Sequence, residues 1–406
     1  MTATPNNGAD TREPLDGVRV LELGGFITGP YASMLLADMG ASVIKVERPE
    51  GDPFRAFRDG LYSPNFVGFN RNKRSLQLDL ARSDGRDALL QLADQVDVLI
   101  ENFRPGVMES LGLGCDTLRA RNPRLVYCAI AGFPPGSSYA DRPAYDIIGQ
   151  AHSGMLDVFL DPDNPEVRGP TISDQLAGMY AAYGVMGALA KRGRTGFGAR
   201  VDVNMVESSM SFMPDFFASV TREGKLMHST TRAAYSHTFA FRCLDGTLLG
   251  VQLSSPQKFW QALVRAVGEP GLATDPRFAT RPARIANFGA LQEALRTIFA
   301  KQPRAYWLEQ LQRQDVPHAA VRPVDEVLSD TEMRAGGSFS TIVHPQMGEV
   351  TCIERPVLID GTRPRTRLAP PTLGEHNGEL MQEFGLALDA CSANQIGLPR
   401  GPGPSA

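Results

Sequence analysis

Short apolar runs alternate with helically spaced segments along the first half of the chain. The runs are 18–23 (VRVLEL), 42–47 (SVIKVE), 96–100 (VDVLI) and 125–130 (LVYCAI), and each predicts a buried strand. Between them, 30–39, 84–94 and 115–121 carry helical spacing. Pro30 suits the first turn of its helix, and Gly40 ends it. Strand, helix and strand recur in turn. That alternation predicts an α/β fold with a doubly wound, mainly parallel, Rossmann-like sheet. The polar segment 69–75 (FNRNKRS) reads as a loop. A long helix is expected over 174–191, so rich in Ala and Gly that neighbouring backbones can approach it closely. A strand at 200–204 and a helix at 205–220 follow.

The pattern then changes. Residues 236–251 predict a hairpin turning at Asp245 and Gly246. Helices are expected at 256–267, 287–300 and 303–314. The stretch 330–385 is Pro-rich and reads as irregular, with a last helix at 376–385. These shifts divide the chain into a larger α/β lobe, 14–224 completed by 330–388, and a smaller α+β lobe, 225–329. Residues 1–13 and 389–406 read as tails.

A length of 406 residues suits two lobes better than one core. Hydrophobic residues make up 42% and charged residues 21%, which excludes wholesale disorder. The net charge of −4 lacks the basic excess of a nucleic-acid binder. The uncharged run 176–190 falls short of the roughly 18 apolar residues that span a bilayer, so no membrane segment is expected. The first residues, MTATPNNGADTRE, lack the apolar core of a secretory signal. Five cysteines and six histidines lie scattered, without metal-ligand spacing. That predicts a reduced, cytoplasmic protein without a metal.

Four segments offer chemistry. The loop 24–30 (GGFITGP) joins a strand end to a helix start, where free N–H groups favour anions. With Glu47 as a ribose partner it could serve a dinucleotide, but it departs from GxGxxG. A plain glycine-rich turn, or a different nucleotide-bearing ligand, stays open. Lys45, Arg48, Arg58, Arg71, Lys73 and Arg74 form a cationic series, either a phosphate grip at the sheet's carboxyl edge or a solvated face. Residues 101–106 (ENFRPG) offer amide, ring and guanidinium groups to a purine and a phosphate, or form a capped loop. Asp174 opens the long helix, either as its N-cap or as a carboxylate kept ionised there for nucleophilic attack. Helix N–H groups beside it would stabilise a developing oxyanion.

Taken in order, six blocks resemble family III CoA-transferases. They are PLDGVRVLELGGFITGPYASMLLADMGASVIKVERPEGD, FNRNKRSLQLDL, VDVLIENFRPG, PAYDIIGQAHSGM, SDQLAGMYAAYGVMGALAKRGRTGFGARVDVNM and PTLGEHNGELMQEFGL. The family includes formyl-CoA and carnitine CoA-transferases and, as a divergent branch, α-methylacyl-CoA racemase. The resemblance covers residues 14–385. It implies that CoA is transferred between carboxylic acids through aspartyl mixed anhydride and aspartyl-CoA thioester intermediates, with Asp174 as nucleophile. It implies coenzyme A contacts at Ile27 and Thr28, at Arg48 and Leu78 near the nucleotide, at Asn102, Phe103 and Arg104, and at Tyr145 and Asp146 near the pantetheine arm. It also implies an interlaced homodimer, with the stretch after 330 strapped between lobes. CoA's phosphates would account for the cationic series.

Three departures narrow the reading. Ser110 and Ala81 stand where formyl-CoA transferases place Arg and Lys, so part of the phosphate grip differs. The glycine-rich loop of those enzymes is absent from 225–255, which argues against formyl-CoA or oxalate. Tyr145 stands where the racemase branch places His, and a phenol near pKa ~10 is a poor acid/base partner. A racemase and a CoA-binding protein without chemistry remain the alternatives. Arg232, His237 and Arg242 are candidates to meet the second carboxylate of a dicarboxylic substrate such as succinate.

Overall fold

The computed structural model describes residues 12–386, apart from 59 and 162. Six strands form one parallel sheet: β1 (Arg19–Glu22), β2 (Ser42–Glu47), β3 (Lys73–Gln77), β4 (Val98–Glu101), β5 (Val126–Ala131) and β6 (Arg200–Asn204). Their order is β3-β2-β1-β4-β5-β6, and every adjacent pair is parallel. Alternate strand residues enter two different cores. Leu21, Ile44, Leu76 and Leu99 pack with Leu89, Leu92 and Leu118 of the helices Ser83–Ala93 and Cys115–Arg121. Val20, Val43, Val98 and Val126 pack with Ala32, Leu36, Ala177 and Ala181 of the helices Thr28–Asp38 and Ser173–Thr195. Helices therefore cover both faces, which is why the strands read as continuous apolar runs.

Small residues set the spacing of the two central helices. A Cβ on Gly178 would lie 2.9 Å from the Thr28 carbonyl oxygen, so the helix Ser173–Thr195 meets Thr28–Asp38 backbone to side. The chain separates into two units. One comprises the residues up to 155, 169–213 and those from 336; the other comprises 156–168 and 214–335.

The second unit holds an antiparallel sheet of β7 (Thr238–Arg242), β8 (Leu248–Gln252) and β9 (His318–Ala320). Phe241, Phe299, Trp260 and Leu263 pack its sheet against the helices Gln257–Val267 and Phe288–Phe299. The Phe241 and Phe299 rings stack with centroids 4.4 Å apart.

Three expectations need correction. Residues 73–77 are a strand, not part of a loop: Lys73, Ser75 and Leu76 turn into the interior, where their partners lie. The helix at 205–220 is two helices, Met205–Ser211 and Pro214–Glu223, because Pro214 cannot continue the first helix's hydrogen bonds. The stretch after 330 contains a hairpin of β10 (Phe339–His344) and β11 (Gly348–Ile353), turning at Gly348 with φ 77°. The final helix, Asn377–Phe384, returns Leu380 and Phe384 to the first unit's core. Among the described residues, no helix is long and apolar enough to cross a membrane.

Candidate active site

The loop 24–30 follows β1 and leads into the helix Thr28–Asp38, at the sheet's carboxyl edge. Gly24 and Gly29 are needed because the loop folds on itself: a Cβ on Gly24 would sit 3.0 Å from the Cα of Gly29. Between them Phe26 adopts the left-handed conformation, φ 62°. For a non-glycine residue that costs about 1–3 kcal/mol and persists only where surroundings enforce it. Here they do. Asn102 accepts from the Gly25 N–H at 3.0 Å and donates at 2.8 Å to both the Gly25 carbonyl and the Thr28 hydroxyl. Asp52 accepts from the Phe26 N–H at 3.2 Å.

Two cavities flank this loop within the first unit. The larger, about 460 Å³, is lined by Arg48, Leu78, Asn102 and Phe103 among the residues singled out by the sequence. The other, about 280 Å³, is lined by Ile27, Thr28, Asn102, Phe103, Arg104, Tyr145 and Asp174. Phe26 lines both, its ring edge-on to Phe54 at 5.3 Å and to Tyr145 at 5.7 Å. Nine of the ten candidate residues thus meet on two cavities that share Phe26, Asn102 and Phe103. Asp146 lines neither.

Asp146 instead begins the helix Asp146–His152, and its carboxylate accepts from the Asp174 N–H at 3.1 Å. This corrects the N-cap expectation. The helix starts at Ser173, so Asp174 lies inside the first turn, and its own side chain makes no cap. That carboxyl is free to face the cavity. It also fails to stay fully ionised at neutral pH: burial, then the nearby charge of Asp146, push it up to about 7. These outweigh the favourable helix terminus. Both amide hydrogens of Asn102 are engaged by the loop.

Four of the six cations in the series are engaged within the protein rather than held for a phosphate. Lys45 is fully buried between Glu22 at 2.7 Å and Asp52 at 2.8 Å, and Lys73 is fully buried against Glu22 at 2.8 Å. Arg71 pairs with Asp38, and Arg74 with Glu379 at 2.7 Å, both near the amino end of β3 and away from the ligand edge. Residues 73–77 form a strand, and a strand side chain stands on one sheet face beside those of neighbouring strands, so Lys73 meets Glu22 of β1. Arg48 and Arg58 are exposed, and Arg48 lines the larger cavity.

Burial alone would raise the Glu22 carboxyl, but Lys45 and Lys73 outweigh it and hold it at about 2. Three residues that sequence reasoning passed over belong to this site. Phe26 carried no signal beyond its glycine neighbours. Asp52 had one, since it accepts from the Phe54 N–H two residues on, the mark of an Asx turn. Glu101 lines an adjoining cavity of about 320 Å³, where burial raises its carboxyl to about 7.

Comparison with known proteins agrees with this architecture. Residues 15–377 match CoA-transferase family III. A succinyl-CoA–D-citramalate CoA-transferase of Chloroflexus aurantiacus is 34% identical, over 91% of this chain and 94% of its own. An acetyl-CoA:oxalate CoA-transferase of Acetobacter aceti is also 34% identical, over 94% of this chain and 98% of its own. The crystal structure of a CaiB/BaiF family protein from Brucella suis superposes with a TM-score of 0.81 at 30% identity, covering 92% of this chain and 100% of that one. The chain belongs to CoA-transferase family III and is a CoA-transferase.

Proposed function

We propose that the protein moves CoA from an acyl-CoA to a free carboxylic acid, with Asp174 as the covalent nucleophile. The observation that carries this is one carboxyl, uncapped by its own helix, on a cavity lined by Ile27, Thr28, Asn102, Phe103, Arg104 and Tyr145. An Asp174 oxygen attacks the thioester carbonyl, the C–S bond breaks, and CoA thiolate leaves a mixed anhydride. The thiolate attacks the aspartyl carbonyl and releases the donor acid, leaving an aspartyl-CoA thioester. The acceptor carboxylate attacks that thioester to form a second anhydride. Returning thiolate attacks its acyl carbon, giving the new acyl-CoA and restoring Asp174. Each step exchanges one acyl bond for another, so neither ATP nor a metal enters the balance.

In this reading the first unit is the CoA-binding lobe, Rossmann-like in its strand order. The larger cavity takes the nucleotide end beside Arg48 and Leu78, and the smaller takes the thioester arm. The acceptor belongs to the organic acids handled by relatives, dicarboxylates such as succinate and glutarate among them. The protein works in the cytoplasm as an interlaced homodimer. Supporting the dimer, the helix Pro214–Glu223 buries none of its residues, and Met179 and Tyr183 are 51% and 72% exposed. Sedimentation of the full chain at twice the 44.0 kDa chain mass is the expected result; a monomer refutes it.

The test of the nucleophile is exchange between an acyl-CoA donor and a panel of free acids, read by mass spectrometry of new acyl-CoA species. Asp174→Ala is expected to lower turnover by about 10⁴-fold or more. Turnover near the wild-type rate rejects the assignment. Incorporation of deuterium at the α-carbon without an acceptor favours a racemase instead.

A further inference from the structure

A buried ionic network lies against the loop 24–30; none of its members lines the cavity of Asp174, while Glu47 and Asp52 border the larger cavity. The register of the parallel strands sets Glu22 directly beside Lys45. Lys45 donates to Glu22 at 2.7 Å and to the Gly24 carbonyl at 2.8 Å, and forms an ion pair with Asp52 at 2.8 Å. Lys73 spends its three ammonium hydrogens on Glu22 at 2.8 Å, Asn70 at 2.8 Å and the Pro30 carbonyl at 2.7 Å. The two lysines therefore hold the first and last carbonyls of the loop. Asp52 holds its middle, accepting from the left-handed Phe26. Asp52 is itself fixed: its other oxygen faces Lys45, and its own N–H donates to Glu47 at 3.0 Å, which is locked to Arg55.

Resting on the CoA-transferase reading, we infer that Asp52, held by Lys45, is a positioning residue that locks Phe26 left-handed and thereby shapes the wall between nucleotide and thioester cavities. The argument is one of necessity. A phenylalanine gains nothing by itself in the left-handed region. Its N–H has one described partner, the Asp52 carboxylate. Removing that partner lets the residue relax to ordinary backbone angles, which swings the ring out of the boundary shared by both cavities. Charge matters as well as shape. Burial alone would discharge Lys45, but Asp52, Glu22 and Glu47 together overcome this and keep it more basic than usual. The ammonium is thus retained beneath the turn, hydrogen-bonded to Glu22 and the Gly24 carbonyl and ion-paired with Asp52.

The experiment compares wild type with Asp52→Ala and Asp52→Asn as full-length protein, using free CoA as calorimetric probe and an acyl-CoA/acid pair for kinetics. Asp52→Ala is expected to weaken CoA binding at least tenfold and raise KM for acyl-CoA in parallel. KM for the acceptor acid should stay within twofold. Asp52→Asn keeps an acceptor oxygen for the Phe26 N–H and should restore most of the affinity, to within about threefold of wild type. A merely structural role would lower thermal stability and disturb both substrates alike. CoA affinity of Asp52→Ala within twofold of wild type, or an equal rise in both KM values, overturns the inference. If Asp52→Ala does not fold, hydrogen exchange at the Phe26 amide of Asp52→Asn decides. Faster exchange, from the weaker neutral acceptor, supports the latch, and exchange at the wild-type rate refutes it. A wild-type protein that binds no CoA would instead overturn the CoA-transferase reading itself, a result separate from any effect of Asp52.

Discussion

The carboxyl edge of the parallel sheet and the core of the second unit are both dry, yet they are held by opposite means. At the edge, Glu22, Lys45, Lys73 and Arg55 are all fully buried, and each is matched to partners at hydrogen-bond distance. In the second unit, Phe241, Phe299, Trp260 and Leu263 do the same duty with apolar contact. Apolar burial has no direction, so it fixes volume but tolerates small rotations. Ion pairs with filled hydrogen-bond sites fix individual carbonyls and N–H groups in place. The site region needs the second kind of order, because a backbone turn there forms the wall of a binding cavity.

The comparison can be broken from either side. The largest effect is expected for Glu22→Gln, which leaves two buried ammonium groups sharing a neutral amide. Breaking a buried ion pair costs about 3–5 kcal/mol, and the loss should appear both in urea denaturation and in CoA affinity. Unaltered CoA binding in a folded Glu22→Gln protein would show that the network serves stability alone. Leu263→Ala, fully buried in the second unit, is expected to cost about 2–4 kcal/mol by the same denaturation assay. Here CoA affinity should not move; a parallel loss would mean that apolar packing also sets the site.

The smallest effect concerns pH. In the proposed reaction Asp174 attacks as the carboxylate, and with its carboxyl pushed up to about 7 that form is lost as pH falls through 7. Because the folded value lies above the ordinary 3.8, this group's contribution to stability falls as pH rises between the two. Asp146→Asn removes the neighbouring negative charge while keeping an oxygen for the Asp174 N–H. The acid limb of the kcat profile should then move to lower pH, toward the ordinary aspartate range. An unmoved limb would assign the shift to burial alone.

The same contrast explains what could be read from the sequence. The strands at 42–47 and 200–204 were legible to the residue: the first is buried along almost its whole length, and the second alternates half-buried Val201 and Val203 with exposed Arg200 and Asp202. β3 was not, because KRSLQ has a single apolar residue, Leu76, and buries the polar Lys73 and Ser75, so it looks like a solvated loop. The hairpin β10–β11 escaped for a related reason: its neighbours are rich in proline, and only Val350, Cys352 and His344 are buried within it. Asp174 and Asn102 stood out in the sequence as candidates by their place at a helix start and after a strand, and both line one cavity. Their partners were not legible, since Asp146 meets Asp174 from 28 residues away and Asn102 meets Gly25 from 77. The cations misled most. Spacing alone cannot tell a lysine aimed at a phosphate from one aimed at a glutamate on the next strand.

The central claim is that the Asp174 carboxyl becomes covalently acylated during turnover. Incubating the full-length protein with an acyl-CoA donor, quenching with hydroxylamine and mapping peptides by mass spectrometry tests it directly. The account predicts a hydroxamate on residue 174 that depends on acyl-CoA and is missing from Asp174→Asn. A protein that exchanges CoA among acids while residue 174 stays unmodified, or that carries the hydroxamate on another carboxylate, would contradict it.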